Sequence, residues 1–214
     1  MDFLPVLVEK YNLDLQPSHS ERIDVQSADT LLYPGAHIAA SIRHEHFHHG
    51  IVIDPAAPDI SIMHLWGRNK NVGRVQMTTM PIFLAGNVDN LGKKTRELYL
   101  VNYDGDTYEK QKETVKVAKE LLEKADDIVY DLATLNCESF ACFCRTGRWD
   151  SEQVTKIKHL LKDKLQEIFQ EVEDANIKDG QGIISLINAI LTDVLSPTDK
   201  EVLVQLLEKY SSSL

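Results

Sequence analysis

NCESFACFCRTG, residues 136–147, is the stretch that decides the fold. Asn136 is of a type favoured just ahead of a helix, and Gly147 of a type favoured just past one. Cys137 then falls in the first helical turn. Backbone N–H groups there lack intrahelical partners and the helix dipole is positive, so a thiol at this place is expected to have a lowered pKa. The same N–H groups could stabilise an oxyanion during acyl transfer. A cysteine is also often an inert small core residue, so Cys137 needs a base before it counts as a nucleophile. On one helix Cys137 and Cys144 stand two turns apart and Cys142 points to another face, which keeps the three thiols from converging on one zinc ion. Cys144 is expected in the core beside Phe140, and Cys142 has no assigned role.

Upstream of this helix the chain reads as strands. AHIAASI (36–42), FHHGIVI (47–53), ISIMHLW (60–66), RVQMTT (74–79) and ELYLVNY (97–103) are short segments rich in Ile and Val. Turn chemistry such as PAAPD and GRNKNVG separates them, and links this short favour antiparallel pairing. The period then changes: Val115, Ala118, Leu121, Leu122 and Ala125 follow helical spacing from Tyr108, with Asp106 or Thr107 as cap. From Ser151 onward the chain is expected to be helical. Val154, Ile157, Leu161, Leu165, Ile168 and Val172 form one stripe, a greasy segment spans 183–195, and SPTDKE opens a last helix. The expected architecture is α+β, an antiparallel sheet packed on the Cys-bearing helix, with a C-terminal α-helical extension. Its expected divisions are an N-terminal extension (1–33), a catalytic domain (34–150) and a helical tail (151–214). The tail's stripe needs cover, from a helical bundle, a dimer interface or a protein partner.

The base for the thiol is sought in HEHFHHG, residues 44–50. In a strand His44, His46 and His48 share one face while His49 looks the other way. Three readings compete: His-x-His metal ligation, a single histidine serving the helix thiol as base, and a solvated His-rich edge. His64 in the next strand favours the second, because a catalytic imidazole needs a polar neighbour to fix its tautomer.

The formal net charge of −10 argues against nucleic-acid binding and gives no overall attraction to anionic lipid. The opening MDFLPVLVEKYN lacks a basic region, so no secretory signal is expected. The run from Ile183 to Leu195 is interrupted by Ser185, Asn188, Thr192 and Asp193 and falls short of the roughly 20 apolar residues a membrane span requires. Three crowded cysteines make no disulfide framework, so a reduced, cytoplasmic setting is expected.

With these residues assembled, the sequence resembles the lecithin:retinol acyltransferase family. The matching pieces are PGAHIAASI (34–42), HHGIVID (48–54), IMHLW (62–66), NCESFACFCRTG (136–147) and RTGRWDSEQV (145–154). The resemblance implies Cys137 as nucleophile, His48 as base and His64 as orienting residue. His49 fills a position where relatives often carry Tyr or Trp, and no catalysis is assigned to it. The resemblance also implies a circularly permuted relative of the papain-like NlpC peptidases, no cofactor and no metal ion. The implied activity is acyl transfer or acyl hydrolysis through a thioester, with phospholipid as acyl donor, giving phospholipase or N-/O-acyltransferase activity. Three departures stand out: Ser139 replaces the commoner His, the 48-to-64 spacing is longer, and a tail with seven Lys and eleven Asp or Glu between 151 and 214 takes the place of a hydrophobic anchor. Peripheral membrane contact remains compatible with amphipathic helices. Two other readings stay open: a cysteine peptidase or amidase on the same scaffold, and a non-catalytic interaction or regulatory module acting through the tail.

Overall fold

Alternation of inward apolar residues along short segments builds a sheet, and in the computed structural model the described residues form one with six strands. The structure describes residues 12–42, 46–56, 59–66, 73–93, 95–127 and 135–157, together with 159, 160 and 163. The strands are β1 (Ser20–Ile23), β2 (His37–Ser41), β3 (Phe47–Asp54), β4 (Ser61–Trp66), β5 (Arg74–Thr79) and β6 (Glu97–Val101). They lie in the order β1-β6-β2-β3-β4-β5, and every neighbouring pair is antiparallel. The helices are α1 (Ala28–Leu31), α2 (Met80–Ala85), α3 (Tyr108–Glu123) and α4 (Cys137–Thr146).

The five expected strand segments all form strands. β1 is an addition that the sequence does not advertise, because Ser20, Glu21 and Arg22 show no apolar alternation. Tertiary pairing makes it a strand: it runs along β6 from Ser20↔Val101 to Ile23↔Leu98, and Arg22 pairs with Glu97 at 3.0 Å. Among the described residues strand pairing extends back to Ser20.

Period-two alternation sorts the side chains into two layers. One face carries Ile38, Ala40, Val52, Ile62, Leu98 and Leu100, covered by Met80, Phe83 and Leu84 of α2. The opposite face carries Ile51, Met63, Leu65 and Val75, covered by Ala118 of α3 and by Phe140, Ala141 and Cys144 of α4. Phe83 and Phe140 are fully buried, each contributing about 1.5–3 kcal/mol of hydrophobic stabilisation.

The helix ends follow local chemistry. Thr107 caps α3 by accepting from the Lys110 N–H, and Gly147 closes α4 at φ 74°. Gly35 sits at φ 87°, and a Cβ there would run into the Gln111 carbonyl of α3. A nearly buried ion pair, Arg145 Nη2 to Asp106 at 2.7 Å, ties the end of α4 to the loop before α3. Tyr33 and Gln111 also donate to the same carboxylate, at 3.0 and 3.1 Å.

All of these elements belong to one compact unit, Leu15–Thr155. A second unit combines Met1–Asp14 with Lys156–Leu214, and few of its residues are described. Residues 152–157 are helical. The remainder of the expected tail, from Leu161 through Val172, 183–195 and the last helix, lies outside the described residues, as does His44. Among the described residues no helix is long and apolar enough to cross a membrane.

Candidate active site

The site is set by the hydrogen-bond alternation of β3. Val52 N–H donates to Ala36 O at 2.9 Å, so the even-numbered residues of β3 bond toward β2. The amides of Phe47, His49 and Ile51 therefore face the β4 side. The described pairing with β4 starts only at Ile51↔Met63. Two side chains address the peptide groups of Phe47 and His49 there. Phe47 N–H donates to Gln153 Oε1 at 3.0 Å, and Gln153 Nε2 donates back to Phe47 O at 3.2 Å. The Cys137 thiol donates to the same carbonyl, S to O 3.9 Å, and accepts from the His49 backbone N–H.

Asn136 places the sulfur. Its side chain accepts from Ser139 N–H at 2.9 Å, while Ser139 Oγ accepts from Asn136 N–H at 2.9 Å, a reciprocal capping box. Ser139, the residue that departs from the family pattern, thus completes the cap. The expectation of an acidic thiol is reversed. Cys137 is buried, and burial pushes its thiol up to about 11; the backbone N–H groups of His49 and Glu138 and the Arg96 guanidinium pull it down but do not prevail. Glu138 is buried too, which raises its carboxyl, although donors from Ser151, Gln153 and Glu152 oppose the rise. Ser151 Oγ and Gln153 N–H both donate to Glu138 Oε2, the latter at 3.0 Å. In this way the Glu of NCESF anchors the segment that delivers Gln153.

His48 and His64 lie together on the α2 face. His48 Nε2 and His64 Nδ1 are 2.6 Å apart, and the Phe83 ring packs against both imidazoles at 5.0 and 5.8 Å. Gln76, directly across from His64 in β5, brings its amide nitrogen to 3.3 Å from His64 Nε2. Turning that amide by 180° exchanges donor for acceptor and so reverses the tautomers of both histidines. Burial lowers the pKa of His64 to about 3, with Arg96 adding to the fall. His48 is held well below the ordinary value by burial and then by His64 and Arg96. Both rings are neutral at pH 7.

His49 occupies the opposite face, as the alternation requires, and its ring joins a separate buried chain. Its Nδ1 meets His37 Nε2 at 2.9 Å, its Nε2 meets Gln153 Nε2 at 3.0 Å, and His37 Nδ1 meets Tyr103 Oη at 2.8 Å. Tyr103 Oη in turn donates to Cys142 Sγ at 3.9 Å. Sequence reasoning gave His37, Gln153 and Tyr103 no role. For His37 the available signal was a polar residue where strand alternation demands an inward side chain; Gln153 and Tyr103 lie outside the strands and carried no such signal. His46 just precedes β3; its Nδ1 is buried without a hydrogen-bond partner among the described residues, and burial lowers its pKa to about 4. Cys144 packs in the core with Phe140, as expected. Among the described residues no group of three or more His, Cys, Asp or Glu could hold a metal ion.

A six-stranded antiparallel sheet with a cysteine-headed helix on one face and a buried histidine pair on the other defines an α+β protein. The family model described as Lecithin retinol acyltransferase matches residues 31–150. The chain belongs to that family, whose activity is of the acyltransferase type. No curated protein and no solved structure matches the chain.

Proposed function

We propose that the protein transfers or hydrolyses acyl groups through a thioester on Cys137, with His48 as base, His64 as its orienting partner and phospholipid as donor. The observation that carries this reading is where the sulfur rests. It contacts Phe47 O and His49 N–H, the two peptide groups that flank His48. His48 Nε2 is engaged by His64, which leaves Nδ1, the ring nitrogen nearer that backbone, for the thiol. For Nδ1 to hold a lone pair, His48 Nε2–H donates to His64 Nδ1, and His64 Nε2–H donates to the Gln76 amide oxygen. The circularly permuted, papain-like arrangement of sheet and Cys-bearing helix is part of the same proposal.

The chemistry starts from a neutral pair. Because burial raises the thiol and lowers the imidazoles, no thiolate stands ready at pH 7. The proton passes from Cys137 Sγ to His48 Nδ1 as sulfur attacks the ester carbonyl carbon. The carbonyl oxygen takes the negative charge, and backbone N–H groups at the head of α4 stabilise it. Collapse breaks the ester C–O bond, and the departing alkoxide takes the proton from His48. Water, an amine or an alcohol then gives its proton to His48, attacks the thioester and frees the thiol.

A second reading has one observation in its favour. Cys137 is only 4% exposed, as suits a member that keeps the motif but works as an interaction module. Mass spectrometry of intact protein incubated with mixed phospholipids separates the two. We expect an added acyl mass on wild type that Cys137→Ala abolishes and His48→Gln slows by about 10²–10⁴-fold. Wild type that never gains acyl mass and releases no fatty acid would leave the interaction module as the better account.

A further inference from the structure

We infer that Gln153 is a positioning residue for Cys137, its carboxamide bonding the Phe47 N–H and O in the manner of a strand partner and so fixing the carbonyl that the sulfur contacts. This rests on the thiol reading of the site. A strand partner would supply one acceptor for Phe47 N–H and one donor for Phe47 O. Gln153 supplies both from a single side chain, at 3.0 and 3.2 Å. The carbonyl it grips is the one the thiol contacts.

Gln153 is itself held at both ends. Its backbone N–H donates to Glu138 Oε2 at 3.0 Å, one residue after Cys137 in the same helical turn. Its Nε2 also meets His49 Nε2 at 3.0 Å, and His49 is tied through His37 to Tyr103. His37 lies on β2 and Tyr103 just past β6, so three neighbouring stretches of the sheet converge on this amide. The backbone of 47–49 and the first turn of α4 are therefore locked to each other through position 153. A shift of even about 1 Å between nucleophile and base is enough to cost 10²-fold in rate. Among the residues of the SEQV box, Gln153 is buried, 7% exposed. It touches no substrate in this account and acts only through the main chain it holds.

The discriminating variant is Gln153→Met, which keeps length and volume but has no hydrogen-bonding amide; Gln153→Ala is its companion. Three quantities are read. The first is the pH dependence of Cys137 alkylation by iodoacetamide, resolved by peptide mass spectrometry. The second is kcat and KM on a short-chain phosphatidylcholine, and the third is Tm. For Gln153→Met we expect kcat to fall about 10–100-fold with KM within about threefold. The alkylation midpoint should move to higher pH, because the His49 N–H no longer meets the sulfur squarely. A lowered Tm with an unmoved alkylation profile would show Gln153 to be merely structural and overturn the proposal. Should either variant fail to fold, hydrogen exchange in wild type decides. The Phe47 amide should be protected, and exchange at the rate of an open edge would overturn the proposal. If wild type turns over no phospholipid, the acyl-transfer reading fails, whereas the alkylation profiles still decide the role of Gln153.

Discussion

A cysteine at the head of a helix is commonly expected to be acidic, and at Cys137 that expectation yields to desolvation. Removing a thiolate from water costs more than two N–H groups and a nearby guanidinium return. With the thiol pushed up to about 11, alkylation of Cys137 should be very slow at pH 6 and still climbing at pH 9, with no plateau near 7. Cys142, pushed up to about 12, should lag behind it at every pH, and Cys144, raised further still, should be slowest. A plateau for Cys137 between pH 6 and 7 would show a preformed thiolate and contradict the neutral-pair start. The candidate residues were legible in the sequence because each sits in a short motif with its own local logic. The ionisation was not, since it depends on burial and on groups brought to the sulfur from distant positions, the Phe47 carbonyl, the His49 N–H and the Arg96 guanidinium.

For the elements, legibility tracked how local the cause was. α4 begins and ends where Asn136 and Gly147 say it should, because caps are one-turn interactions. β1 and α2 escaped notice because each is short and takes its structure from the neighbour it packs on. The capping box on α4 carries a prediction. Asn136→Ala removes the acceptor for Ser139 N–H and keeps only the half of the box made by Ser139 Oγ with the main chain of residue 136. It should cost about 1–2 kcal/mol of stability and loosen the turn that carries Cys137. Acylation of Cys137 should slow by more than the change in Tm alone explains, whereas Asn136→Asp, which keeps the acceptor, should restore most of both. Equal losses in the Ala and Asp variants would argue that the cap does not position the nucleophile.

Across the described residues, four buried histidines and the half-buried His46 dominate the response to acid. His37, His46, His48, His49 and His64 all have lowered pKa values, chiefly through burial. A depressed value means that the unfolded chain takes up protons the folded one refuses. Their contribution to stability is therefore complete above about pH 6.5 and is lost as pH falls toward the folded values near 3 to 4. Each group removes about 1.4 kcal/mol per pH unit once the unfolded histidine is protonated. The raised carboxyl of Glu138 acts in the opposite sense and offsets part of this. Since total stability is typically about 5–15 kcal/mol, denaturant midpoints should drop steeply between about pH 6 and 5. A flat profile from pH 7 to 5 would mean that these imidazoles are protonated in the folded state. The sequence advertised the histidines by their density in 44–50, yet gave no sign that His37, from a different strand, would be buried against His49.

The contacts on the β4 side of β3 also say which positions are free to drift. Gln153 and Cys137 both address the peptide atoms of residue 47, which every amino acid except proline would present in the same way. The Phe47 side chain answers to a different constraint, its ring lying 5.3 Å from that of Tyr99 in the core. Position 47 is thus open to exchange among apolar side chains that fill the same space. Position 153 is closed even to asparagine, whose amide carries the same atoms one methylene too short to reach both peptide groups. Among descendants of this chain, the residue that supplies the edge would wander while the residue that guards it stays fixed.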